Sequence, residues 1–69
     1  MKAIDIDVGG TFTDLVLTWD DVRYVAKAPT TPYDLSVGFL DVLTAGAEQL
    51  GRPLDQVLPE VEIVRYSTT

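Results

Sequence analysis

The sequence predicts a mixed α/β fold: three consecutive strands in an antiparallel meander, a covering helix, then a fourth strand. Three observations carry that prediction. Apolar residues alternate at period two on both sides of the Gly9-Gly10 pair, recur at three- and four-residue spacing from Leu35 to Leu50, and return in a short run at Val61, Ile63 and Val64.

The first strand is expected over residues 3–8, where Ile4, Ile6 and Val8 share one face, and the alternation resumes at Leu15, Leu17 and Trp19. A tight Asp20-Asp21 turn leads to a third strand over residues 22–28, with Val22, Tyr24, Ala26 and Ala28 on one face and Arg23, Val25 and Lys27 on the other. Trp19 reads as an edge packing residue and Lys27 as a solvated strand lysine. Pro29 and Pro32 then break the pattern. Thr31-Pro32-Tyr33-Asp34 has the form of a capping box, which predicts a helix over 32–50 with Thr31 as its N-cap. The apolar stripe of that helix runs through Leu35, Phe39, Leu43, Ala47 and Leu50, with Leu40, Val42 and Leu54 as further packing residues, and it reads as the surface laid on the sheet. Gly38 and Gly46 each cost about 1 kcal/mol against alanine inside a helix, so they mark close packing. Gly51 suits the helix stop, and Pro53 follows it. Residues 52–58 add a helical turn ended by Pro59, and the fourth strand is expected over 61–66. There is no internal repeat, low-complexity tract or domain boundary.

The chemistry concentrates in residues 7–14, Asp7-Val8-Gly9-Gly10-Thr11-Phe12-Thr13-Asp14, where an acidic strand end runs into a Gly-Gly turn flanked by hydroxyls. Glycine lacks a Cβ and tolerates positive φ, so Gly9 and Gly10 would let backbone N–H groups approach an anion closely. Thr11 and Thr13 would add hydroxyl donors to a phosphate. A carboxylate repels bare phosphate, so Asp7 makes sense through a divalent cation such as magnesium, which keeps several waters and takes one or two carboxylates besides phosphate oxygens. Asp14 could orient Thr11, polarise a water near the phosphates, or cap the hairpin. The competing reading of the same residues is a plain β-hairpin with a geometric Gly-Gly turn. Neither the P-loop spacing nor the dinucleotide fingerprint occurs, and a strand rather than a helix follows the glycines.

The octet at 7–14 resembles the N-terminal phosphate motif of the hydantoinase A/5-oxoprolinase family, within the superfamily of sugar kinases, Hsp70 and actin. Lys27-Ala28-Pro29-Thr30-Thr31-Pro32 resembles the family's Lys-x-x-Thr-Thr-Pro segment, and Tyr66-Ser67-Thr68-Thr69 resembles the start of an element often written His-Gly-Thr-Thr. The resemblance implies the N-terminal part of an actin-like (ribonuclease H-like) ATPase domain, with residues 1–69 as a single partial domain of a longer protein. It implies ATP and Mg2+ as cofactors, with Asp7 as the catalytic and metal-organising residue. Gly9, Gly10, Thr11, Thr13, Asp14, Thr68 and Thr69 are the expected nucleotide-binding residues. The implied activity is ATP-dependent opening of a cyclic amide such as a hydantoin or 5-oxoproline, through phosphorylation of its carbonyl oxygen. Two departures stand out: Asp5 where the family more often has a small residue, and Tyr66-Ser67 in place of His-Gly. The second brings in the family's ketone-carboxylase branch, biotin-independent and ATP-dependent, acting on acetone or acetophenone. A carbohydrate or acyl kinase of the same superfamily and a non-catalytic module of a hetero-oligomer are the remaining alternatives. The implied partners are nucleotide, a small-molecule substrate, the rest of the parent protein and a second subunit. The 69 residues alone are expected to be inactive, because half of a nucleotide cleft would be absent.

Composition narrows the field. Five basic and eleven acidic residues give a net charge of −6, which argues against nucleic-acid binding or attraction to an anionic membrane. Without cysteine there are no disulfides or thiolate metal sites, and without histidine there is no His-ligated zinc and no Ser-His or Cys-His catalysis within these residues. No apolar run approaches the roughly 20 residues of a membrane span, and Met1-Lys2 leads directly into a strand, so a cytoplasmic location is expected.

Overall fold

The computed structural model describes residues 1–68; Thr69 lies outside the described residues. Strands β1 (Lys2–Val8), β2 (Phe12–Trp19) and β3 (Val22–Pro29) form the antiparallel meander, followed by helix α1 (Leu35–Leu50), a one-turn helix α2 (Leu54–Val57), a 3-10 turn (Leu58–Glu60) and strand β4 (Ile63–Thr68). The sheet order is β3-β2-β1-β4, so β1 is central, paired antiparallel with β2 and parallel with β4.

Ile4 and Ile6 of β1, Leu15 and Leu17 of β2, and Ala26 and Ala28 of β3 form the floor of the core beneath α1. From the helix side, Val42, Leu43 and Ala47 close it, with Val57 sealing one end. The period-two alternation holds through the middle of each of these strands, while Val22 at the start of β3 is half exposed. The helical stripe is rotated: Leu35 and Leu40 are more than half exposed, whereas Gly38, Val42 and Gly46 face the sheet fully buried. The two glycines explain the rotation. A Cβ on Gly46 would lie 2.7 Å from Leu15 Cδ2, and one on Gly38 would lie 3.1 Å from the Pro29 carbonyl, so the helix settles on β2 and β3 through its smallest residues. The line Leu35–Phe39 is left beside β1 and β4, where Phe39 stacks on Tyr66 at 6.2 Å between ring centroids. An apolar cavity of about 400 Å³ opens there, lined among others by Val8, Leu35, Phe39, Leu40 and Tyr66.

Both ends of α1 are capped, the second as expected and the first not. Gly51 adopts φ 82° and its N–H reaches the carbonyls of Ala47 and Glu48, a left-handed stop that glycine accepts without strain. The helix starts three residues later than the capping-box reading placed it. Thr31 to Asp34 forms a separate turn, with the Asp34 N–H on the Thr31 carbonyl, and the Asp34 carboxylate then accepts from both the N–H and the hydroxyl of Ser36. Those bonds, the hydroxyl first, hold the Asp34 carboxyl below its ordinary pKa. Thr31 still contributes, because its hydroxyl accepts from the Gly38 N–H at 2.8 Å. Asp34→Ala should therefore lower stability by about 1 kcal/mol, visible as a lower thermal midpoint of the purified chain; an unchanged midpoint would mean that Thr31 alone caps the helix.

The fourth strand begins at Ile63, two residues after the expected start, because Val61 closes the 3-10 turn by donating to the Leu58 carbonyl. Among the described residues no helix is long and apolar enough to cross a membrane.

Candidate phosphate-binding site

The Gly9-Gly10-Thr11 loop joins β1 to β2. Val8 pairs with Thr13 across it, and the Gly9 N–H donates to the Phe12 carbonyl at 3.0 Å. The Thr11 carbonyl accepts from the Thr30 N–H, and the Gly9 carbonyl accepts from the Thr30 hydroxyl at 2.8 Å. Carbonyls of the loop are thus tied down on the β3 side. Among the described residues, the N–H groups of Gly10 and Thr11 have no intramolecular acceptor, and both residues are exposed. Two N–H groups of the loop are thus left outward while its Gly9 and Thr11 carbonyls are engaged, a polarity that suits an anion.

The glycines achieve this without a left-handed backbone. Among the described residues only Asp20, at the β2–β3 turn, and Gly51 have positive φ. A Cβ on Gly10 would meet nothing within 4 Å, so what its absence provides is open space above the amides rather than a special turn.

The strand pleat sorts the remaining site residues onto two faces. Thr13 points toward α1, is 2% exposed, and shares a 3.0 Å hydroxyl contact with Thr30, which in turn holds Gly9. It thus supports the loop from behind. Thr30 was not singled out from the sequence, although it belongs to the Thr30-Thr31-Pro32 segment that carries part of the family resemblance. Asp7 and Asp14 are directly opposed in the β1–β2 register and lie on the sheet face away from α1. Like charges placed so cost stability unless compensated. Asp14 has Lys27 at 3.6 Å, whereas Asp7 has no basic partner among the described residues and meets only the Ser67 hydroxyl at 3.4 Å. Lys27, expected to be solvated, is more than half exposed but spans Asp14 and the Phe12 ring.

Next to this pair, Asp5 and Arg65 face each other across β1 and β4 and form a two-pronged ion pair, Arg65 Nε and Nη2 donating to the two carboxylate oxygens. The Arg65 hydrogen bond, with its charge adding to it, holds the Asp5 carboxyl below the usual carboxylate value. Asp5, Asp7, Asp14, Val16, Arg65 and Ser67 line a cleft of about 180 Å³. No group of three or more acidic, histidine or cysteine side chains converges there among the described residues. The donor set is one uncompensated carboxylate, a second carboxylate across the strand and a hydroxyl. It fits a magnesium ion that keeps most of its waters, and not a cation that needs an all-protein cage. Thr68 ends β4 opposite Val8, close to the loop, while the expected contribution of Thr69 lies outside the described residues.

With this geometry in place, residues 3–69 match the family described as the hydantoinase/oxoprolinase N-terminal region. The chain belongs to that family. This hydantoinase/oxoprolinase region is 56% identical over its full length to the acetophenone carboxylase gamma subunit of Aromatoleum aromaticum, of which it covers 9%. It is 33% identical over 67 residues to the caprolactamase subunit alpha of Pseudomonas jessenii, covering 96% of this chain and 10% of that one. In structure it matches nucleotide-free acetone carboxylase, an enzyme of ATP-dependent acetone carboxylation, with a TM-score of 0.89 and 29% identity, over all of this chain and 10% of the other. The fold expected from the family resemblance is therefore present. The chain spans about a tenth of the length of these relatives, two of which are named as subunits of larger assemblies.

Proposed function

We propose that this region supplies the first phosphate-binding hairpin of an ATP-dependent, biotin-independent ketone carboxylase subunit. The observation that supports the phosphate role is the pair of N–H groups at Gly10 and Thr11, which have no acceptor among the described residues, together with the Asp7 carboxylate, which has no basic partner among them. Those N–H groups and the Thr11 hydroxyl would hold phosphate oxygens, and Gly10 leaves room for them. Asp7, with Asp14 across the strand, would hold hydrated magnesium, which shields phosphate charge when bound. Thr13 and Thr30 would keep the loop in its donor-outward shape, and Thr68 and Thr69 would complete the phosphate surface from the adjacent strand end. Catalysis of this kind rests on positioning and charge stabilisation, with the phosphoryl group passing to bicarbonate or to the enol of the ketone.

The carboxylase branch is favoured over the cyclic-amide branch by sequence: 56% identity to an acetophenone carboxylase subunit against 33% to a caprolactamase subunit. The second reading, an ATP-dependent hydrolase of cyclic amides, keeps the same hairpin and changes only what receives the phosphoryl group. The whole protein, assembled with its companion subunits, should fix labelled bicarbonate into acetophenone or acetone only when ATP is present. Opening of caprolactam or a hydantoin without bicarbonate would transfer the assignment to the hydrolase reading.

A further inference from the structure

Of the three positions at which this chain departs from the family pattern, Asp5, Tyr66 and Ser67, the first and last lie on one sheet face in neighbouring same-face pairs, while Tyr66 faces the helix and stacks on Phe39. Asp5 pairs with Arg65 and Asp7 with Ser67 in the parallel β1–β4 ladder, so the fork and the hydroxyl are consecutive same-face pairs. The Ser67 hydroxyl has one proton and two acceptors at equal distance, the Ile6 carbonyl and Asp7 Oδ1, each at 3.4 Å. A glycine there would leave Asp7 with no side-chain partner among the described residues. The fork beside it is the closest ionic contact between β1 and β4, and an arginine engaged through two donors restricts sliding of one strand past the other more than a point charge would.

We infer that Asp5, Arg65 and Ser67 act together as a positioning device for Asp7: the Asp5–Arg65 fork fixes β4 against β1, and the Ser67 hydroxyl tethers Oδ1 of Asp7 so that Oδ2 is presented to a hydrated cation. The inference rests on the reading of Asp7 given above. It makes Ser67 a residue that acts through Asp7 and Asp5 one that acts through Ser67. Catalytic hydrogen bonds of this length often shorten in the working complex, so the tether is read best with a cation bound.

The test uses the whole protein with Mn2+ standing in for magnesium. Mn2+ affinity is followed by electron paramagnetic resonance in the presence of a non-hydrolysable ATP analogue, and affinity for the analogue without metal is measured by calorimetry. Ser67→Gly should weaken Mn2+ binding by about three- to tenfold, the range of an ordinary hydrogen bond rather than a charge-strengthened one, as suits a 3.4 Å contact, with metal-free nucleotide affinity kept within about twofold. Ser67→Thr, which retains the hydroxyl, should restore the wild-type value. Asp5→Asn should give a smaller loss, and the Asp5→Asn/Ser67→Gly double variant should be no worse than Ser67→Gly alone. Unchanged Mn2+ affinity in Ser67→Gly, with Asp7→Asn weakened, would assign the hydroxyl to the Ile6 carbonyl and overturn the inference while leaving Asp7 in its role. Additive losses in the double variant would detach Asp5 from the device. If Asp7→Asn binds Mn2+ as wild type does, the reading of Asp7 fails, and the inference fails with it.

Discussion

Asp7→Asn in the whole protein is expected to reduce ATP-dependent turnover by roughly a hundredfold or more and to raise the magnesium concentration needed for half-maximal rate. The amide is nearly isosteric with the carboxylate, so the β1–β2 register, set by backbone bonds and by the Ile4, Ile6, Leu15 and Leu17 core, should persist. What disappears is the one acidic group of the cleft not balanced by a cation among the described residues, since Asp5 is held by Arg65 and Asp14 by Lys27. Nucleotide affinity measured apart from turnover should fall much less. Thr11→Val gives the opposite pattern, because deleting a donor to a charged acceptor costs about 1.5–3 kcal/mol of binding. Normal turnover and normal magnesium dependence in Asp7→Asn would reduce Asp7 to a strand-end residue.

Gly10→Val is expected to weaken nucleotide binding by about a hundredfold with no loss of fold. Two N–H contacts to charged oxygens, at about 1.5 kcal/mol each, account for that factor. The structure makes the separation sharp. Gly10 has no positive φ to lose and a Cβ there meets nothing, so stability should stay within about 0.5 kcal/mol of wild type. A branched side chain at that spot would nevertheless stand in the open space through which an anion reaches the Gly10 and Thr11 amides. Calorimetric titration with ATP, alongside thermal unfolding, checks both halves at once. Undiminished ATP affinity would remove the hairpin from the phosphate site.

The fold was more legible in the sequence than the contacts that hold the candidate site together. The meander, the helix and its Gly51 stop follow from local chemistry, namely alternation at period two, spacing near 3.6 and a residue that tolerates φ 82°. The helix start was harder because Thr31, Asp34 and Ser36 all carry oxygens that can cap, and choosing among them depends on the turn that Thr31 and Asp34 close first. Rotation of the apolar stripe came from two glycines whose effect is steric and tertiary. The partner of β4, and with it the Asp5–Arg65 and Asp7–Ser67 pairs, joins residues 60 apart, and no local pattern encodes that match. The Gly9-Gly10 pair stood out for two properties, tolerance of positive φ and a missing side chain; neither glycine adopts positive φ, and at Gly10 the missing side chain leaves open space.

The central position of β1 has a kinetic side. One edge of this strand is occupied by its hairpin neighbour as soon as the first twenty or so residues exist, but the other waits for residues 63–68. Closing the longer separation spans roughly three doublings of chain length, about 2 kcal/mol more in closure entropy than the hairpin, so β4 is expected to join last. Until it does, the first strand carries a free row of backbone donors and acceptors beside Ile4 and Ile6, open to the same strand of another nascent molecule. Crowded synthesis would then favour intermolecular pairing at β1, and faster supply of β4, or a chaperone covering that edge, would suppress it.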